Sequence, residues 1–175
     1  MLVPILIAVG ALVVLLLIYA ATRPDVFRVE RSTLIQAPAA KVYALIDDFH
    51  AWKRWSPWEA LDPNMKRTHE GAPSGVGAKY GWHGDKKVGR GAMEITAAKP
   101  HESITIKLDF FEPFEAHNTV TFALKAAGGG TQVVWAMDGR QVFFLKLMGV
   151  FMSMDKMVGK DYEKGLAAMK AVAEG

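Results

Sequence analysis

The feature that most constrains this chain is an apolar stripe in its last third. Between Phe143 and Val172, the residues Phe144, Leu147, Met148, Phe151, Met154, Val158, Tyr162, Leu166, Met169 and Val172 recur at helical spacing. That spacing keeps them on one face of an α-helix, with Lys146, Lys156, Lys160, Asp161, Glu163, Lys164 and Lys170 mostly off it. The pattern predicts one long helix whose apolar side must be covered. The segments before it read as β-strands, so a helix laid on a sheet is the frame for everything else.

Two details of that helix bear on function. Met148, Met152, Met154 and Met157 crowd into ten residues, and methionine is the side chain best able to fill irregular or changing spaces. Gly149, Gly159 and Gly165 interrupt the run, each at a cost of about 1 kcal/mol against alanine. An ordinary core helix packed closely at its glycines accounts for this, and so does a deformable lid over a cavity.

The other end of the chain has its own signature. Residues 1–22 carry no charged side chain, and Arg23 is the first charge. About 20 helical residues at ~1.5 Å each span a ~30 Å hydrocarbon core, and Tyr19 sits where an interfacial aromatic would. A cleaved signal peptide would need a basic start and small residues before a cleavage site. Here the start lacks Lys and Arg, and Ile18 and Tyr19 occupy the positions where small residues belong. Residues 1–22 are therefore expected to form an uncleaved, single-pass anchor, with Arg23, Arg28 and Arg31 placing the remainder in the cytoplasm. Residues 23–26 make a short linker reaching at most ~14 Å, which holds the domain at 27–175 against the bilayer.

Along that domain, Phe27 to Gln36 reads as a strand and Ala39 to Ile46 as a short helix, with Pro38 at its start. Phe49, Trp52 and Trp55 suggest a second short helix. Strands follow at Lys66–Glu70, Ala78–Trp82 and Val88–Ala98. Ser103–Phe110 has the cleanest alternation, with Ile104, Ile106, Leu108 and Phe110 on one face and Thr105, Lys107 and Asp109 on the other. Thr119–Lys125 and Thr131–Asp138 alternate likewise around a hairpin turn at Gly128-Gly129-Gly130. The fold class is α+β, an antiparallel sheet with one face covered by the terminal helix.

Several function classes find no support in the sequence. A net charge of +3 with no Lys/Arg run longer than two residues does not resemble a nucleic-acid-binding composition. Without cysteine there are no disulfides and no thiol catalysis. No serine sits in a G-x-S-x-G context, Gly75-Val76-Gly77 and Gly89-Arg90-Gly91 lack a third glycine, and the five histidines are scattered without metal-ligand spacing. No cofactor or metal is expected. The aromatic residues stand out instead: Trp52, Trp55 and Trp58 within seven residues, Tyr80 and Trp82 on one strand face, and Trp135 just before the helix. Such a cluster serves either as core or as the wall of a pocket for a flat or greasy ligand.

Arg31 to Trp58 (RSTLIQAPAAKVYALIDDFHAWKRWSPW), together with His117–Leu124, Val133–Gly139 and Met154–Lys170, resembles the START/polyketide-cyclase-like superfamily, also called SRPBCC. The resemblance covers about Val26 to Ala173. It implies a helix-grip fold, a curved antiparallel sheet around a long C-terminal helix with a hydrophobic cavity between them. Lipid carriers, plant pollen allergens, aromatic polyketide cyclases and quinone-binding proteins resemble this chain in that way. They share no invariant catalytic residue, so no catalytic residue is implied.

The expected function is membrane-anchored binding, and transfer, of a hydrophobic small molecule such as a lipid or isoprenoid quinone. Trp82, Met93, Phe110, Trp135, Met154, Met157, Val158 and Tyr162 are the expected cavity lining. A polyketide cyclase or dehydratase is the alternative, with His83, Glu94, Glu115, His117 and Asp138 as the groups to try. A protein-interaction module using the open sheet or the HAWKRWSPW segment is the third. The partners expected are a hydrophobic small molecule and a membrane, not nucleic acid.

Overall fold

The computed structural model of the chain describes residues 2–141, 143–151 and 153–175, apart from the side chains of residues 144, 145 and 151. The order of elements is α1 (Leu2–Thr22), β1 (Val26–Ile35), α2 (Ala39–Asp47), a 3₁₀ helix (Phe49–Arg54), β2 (Lys66–Gly71), β3 (Ala78–His83), β4 (Arg90–Lys99), β5 (Ser103–Glu112), β6 (Ala116–Ala127), β7 (Gly130–Arg140), α3 (Phe143–Phe151) and α4 (Met154–Glu174).

Seven strands form one antiparallel sheet in the order β1-β7-β6-β5-β4-β3-β2. It is a meander from β2 to β7, with β1 returning beside β7. The register follows the alternation in the sequence. Ile104 and Ile106 on β5, Phe122 on β6 and Val133 on β7 are fully buried, while Lys107 is exposed. Cross-strand pairing of Ile106 with Val120 and Phe122 with Trp135 keeps these side chains on one face. Gly128 and Gly129 have φ of +52° and +78°, the left-handed pair that a two-residue hairpin turn needs and that glycine adopts without strain. Strand ends run up to three residues beyond the alternating stretches. β6 starts at Ala116, since the ladder continues through Asn118, paired with Gly139.

The core lies between this face, α4 and the two short helices. Tyr162, Leu166, Met169 and Ala173 are the buried stripe of α4. Indole N–H groups fix the 3₁₀ segment, Trp52 donating to the Ile46 carbonyl at 3.0 Å and Trp55 to the Leu45 carbonyl at 2.8 Å. Arg31 on β1 ties down the start of α4 by reaching Asp155 and Glu163, each at 2.7 Å.

The single long helix expected over 143–172 is two helices. Ser153 has an extended backbone, and its hydroxyl oxygen accepts the Lys156 amide at 3.3 Å, an N-cap that starts α4 afresh. The first piece, α3, meets α1 rather than the sheet through its described residues. It packs against the end of α1, where Ala20 is fully buried and Leu16, one turn earlier, is half-buried. An apolar stripe states that a face is covered without stating by what. Phe144, Phe151 and Met152, which belonged to the expected stripe or methionine cluster, lie outside the described side chains.

Candidate functional site

Between the concave face of the sheet and α4 lies a cavity of about 240 Å³. Met154, Val158 and Tyr162 form its helical wall, successive turns of one α4 face. The sheet supplies inward positions of neighbouring strands: Trp82 on β3, Met93 on β4, Phe110 on β5 and Trp135 on β7. Trp135 lies flat on Tyr162, with centroids 3.9 Å apart, and Trp58 stands edge-on to both at 5.8 and 6.0 Å. Trp82 meets Phe110 edge-on at 5.6 Å.

Seven of the eight residues expected at the cavity therefore line it. Met157 does not. It is 51% exposed, since at ~100° per residue it falls about 60° from Met154, on the side away from Val158 and Tyr162. Of the methionines in that cluster whose side chains are described, Met154 lines the cavity, and Met148 on α3 is 50% exposed as Met157 is. Of the clustered tryptophans, Trp52 and Trp58 line the cavity, whereas Trp55 is core, 2% exposed and edge-on to Trp135.

The lining also shows where in the sheet the cavity sits. Phe27 begins β1, Trp82 ends β3, Phe110 ends β5, Asn118 lies at the start of β6 and Arg140 ends β7. In an antiparallel sheet all these positions fall at one end of the strands, the edge of the sheet that runs across them. At that same edge α1 enters β1 and α3 leaves β7.

Polar groups are few and distinct in character. Glu59, its side chain 9% exposed, accepts from Arg67 Nε at 2.7 Å and from the Tyr80 hydroxyl at 2.5 Å. Arg67 also donates to the carbonyls of Met65 and Glu59. Burial pushes the Tyr80 hydroxyl far above the usual phenol range, and the Glu59 hydrogen bond adds to this. The Glu59 hydrogen bond likewise raises the Arg67 guanidinium. With both carboxylate oxygens engaged, Glu59 holds the wall together. Ser56 and Asn118, 9% and 8% exposed, line the cavity and make no side-chain hydrogen bond among the described residues. Trp135 Nε1 is buried beside the Tyr162 hydroxyl; burial raises that hydroxyl and the neighbouring indole N–H partly offsets the rise.

Sequence reasoning missed Glu59, Arg67 and Asn118. Glu59 stands in a segment without periodicity, and Arg67 stands on a strand whose residues are all polar, so no apolar alternation marks its inward side. Asn118 lies two residues before Val120, so extending that strand inward would have found it. The five groups considered for acid–base chemistry lie off the cavity. His83 is exposed, Glu94 faces Lys79 at 3.8 Å, His117 is held by Asp109 at 2.7 Å and Glu115 at 3.3 Å, and Asp138 pairs with Arg28 at 2.6 Å. No group of three or more metal-ligating side chains occurs among the described residues.

A family model described as polyketide cyclase / dehydrase and lipid transport matches residues 26–174. Among curated proteins none matches this sequence. Protein CV1439 from Chromobacterium violaceum superposes with a TM-score of 0.60 at 16% identity, over 87% of this chain and 99% of its own. The Aha1 dimer from Colwellia psychrerythraea gives 0.58 at 14% identity, over 85% and 96%. Protein Ms6760 from Mycobacterium smegmatis gives 0.57 at 19% identity, also over 85% and 96%. At these identities the likeness is one of fold.

Proposed function

This chain belongs to the polyketide cyclase / dehydrase and lipid transport family, and from that premise we propose that it binds an apolar small molecule in the cavity under α4, held at a membrane by α1. The observation that carries this reading is the lining itself, a cavity walled by Trp, Met, Phe, Tyr and Val side chains from eight elements. Such a wall retains a ligand by removing apolar surface from water, worth ~25 cal/mol per Å² before the costs of association. An apolar cavity of ~150 Å³ takes benzene. One of about 240 Å³ suits a bicyclic ring or the end of a longer chain. A lipid or isoprenoid quinone is the ligand class, with Ser56 and Asn118 as its polar contacts.

The membrane half of the proposal rests on α1, a 21-residue helix long and apolar enough to cross a bilayer. Only Arg23, Pro24 and Asp25 separate it from β1. The following arginines orient the domain to the cytoplasm.

The test is displacement of an environment-sensitive hydrophobic dye from the full chain in detergent, beside circular dichroism. Val158→Asp places an unpartnered carboxylate in the wall and should abolish uptake, whereas Met157→Asp should retain it. Equal loss from both, with the fold intact, would sink the binding reading. One observation supports a cyclase or dehydratase instead: the hydrogen-bonded Tyr80 and Glu59 stand on the cavity wall. Under that reading Tyr80→Phe removes turnover of a polyketide-like substrate while dye binding persists.

A further inference from the structure

We propose that α3 is a second membrane element, lying in the interfacial layer beside α1, so that the mouth of the cavity opens onto lipid. The proposal rests on the reading of α1 as an anchor and goes beyond it, assigning the bilayer surface as the occupant of an exposed apolar helix.

Four observations converge on this. First, α3 reads FFLKLMGVF, and Lys146 is its one charge. Lys146 is itself 8% exposed and ion-paired with Asp25 in the linker after α1, so the charge is turned inward and neutralised. Second, the described side chains that α3 exposes are apolar, Phe143 at 49% and Met148 at 50%. Third, the cover on α1 lies at Leu16 and Ala20, within ~9 Å of the helix end at 1.5 Å per residue. If α1 spans, that depth is the boundary between hydrocarbon and headgroups, where a helix with its charge on one side buries its other, apolar side.

The fourth observation is topological. α3 bridges Arg140, the last residue of β7, and the segment that begins α4 at Met154, both of which line the cavity. It is thus a strap at the edge of the sheet where the cavity sits. Val26 and Phe111, 64% and 43% exposed, lie on the same edge. Arg140, exposed there and lining the cavity, is close enough to Asp25 to help lower its carboxyl, and Asp25 is already paired with Lys146, so the guanidinium is placed to meet a lipid phosphate as well. A ligand dissolved in the bilayer would pass α3 into the cavity without crossing water.

The absence of cysteine makes the experiment clean, since single cysteines can be introduced without background. Spin labels are placed at Phe143→Cys, Met148→Cys, Leu12→Cys and Val76→Cys in the full chain, reconstituted in phosphatidylcholine/phosphatidylglycerol vesicles. Val76 is the aqueous reference, 57% exposed in the β2–β3 turn at the far edge of the sheet. Collision with oxygen, which concentrates in lipid, is compared with collision with a water-soluble nickel chelate. The oxygen-to-nickel ratio should be several-fold higher at 143 and 148 than at 76, approaching that at 12. If 12 reads lipid while 143 and 148 read water, the interfacial assignment is overturned and the anchor stands. Should 12 also read water, the anchor falls and this proposal with it. Labels at 143 and 148 shielded from both reagents would mean that protein covers α3, with dipolar broadening marking a second copy, and that too overturns the assignment.

Discussion

Trp135 of β7 lies face to face with Tyr162 of α4, ring centroids 3.9 Å apart and planes 16° from parallel. This stack clamps the helix to the sheet at the inner end of the cavity. Gly165, less than one turn further on, lets the helix come that close, because a Cβ there would lie 2.7 Å from Trp135 Cζ3 and 3.1 Å from Pro57 Cδ.

The first prediction concerns this contact. Alanine in a helix interior is favoured over glycine by about 1 kcal/mol, but overpacking a close contact costs ~1–3 kcal/mol. Gly165→Ala should therefore destabilise the fold, by up to about 2 kcal/mol, despite its better propensity. Tyr162→Ala, which empties the stack, should cost about 3–5 kcal/mol. Urea unfolding of the full chain in detergent measures both. A stabilised Gly165→Ala protein would show that the helix is not pressed on Trp135.

The second prediction tests the register of the sheet. Ile106 is fully buried, whereas its neighbour Lys107 is exposed and paired with Asp109 on the opposite face. Ile106→Ala should cost ~2–5 kcal/mol and Lys107→Ala within about 0.5 kcal/mol. Similar midpoint shifts in the two denaturation curves would mean a slip of one residue along β5.

A third prediction follows from the pair of Glu59 and Arg67, whose side chains are 9% and 19% exposed. Arg67→Met leaves a nearly buried carboxylate without its cation and should cost about 3 kcal/mol or more. The double variant Glu59→Met/Arg67→Met removes both charges together and should recover most of that loss. If the double variant is no more stable than Arg67→Met alone, the carboxylate was not the source of the penalty.

The fourth prediction is a pH dependence. His69 stacks on His50, with ring centroids 4.0 Å apart, and its Nε2 is buried without a partner. Burial first, then His50 and Lys53, hold its pKa below the ordinary value of 6.5. The unfolded chain therefore binds the proton at higher pH than the folded one. The stability tied to neutral His69 is complete above that ordinary value and is lost as pH falls through the lowered folded one. Thermal midpoints of the parent protein should drop through this window, and His69→Phe should flatten the drop. Parallel profiles for the two proteins would rule His69 out as the source.

Much of this architecture was legible because it is periodic. Ile104, Ile106, Leu108 and Phe110 alternate, so their shared face could be read from one strand without knowing its partners. The spacing of Val158, Tyr162, Leu166 and Met169 likewise marks the inner face of α4 from local geometry alone. Met157 was misplaced because it sits at the edge of that stripe, where spacing in the sequence changes less than the angle around the helix.

What the sequence by itself determined is which faces turn inward, the sheet's one covered side and the stripe of α4, and that residues 1–22 form one uncharged apolar run. The tertiary structure alone decided what meets those faces. The break at Ser153, the turning of α3 onto α1, the closure of Glu59 on Arg67 and Tyr80, and the placement of the cavity at the edge where α1 joins all depend on contacts between residues far apart in the chain. The physical reason is that burial is set by hydrophobicity and local period, which each segment carries on its own. Distance and pairing are set by the register of seven strands and one helix together, and no single segment carries that.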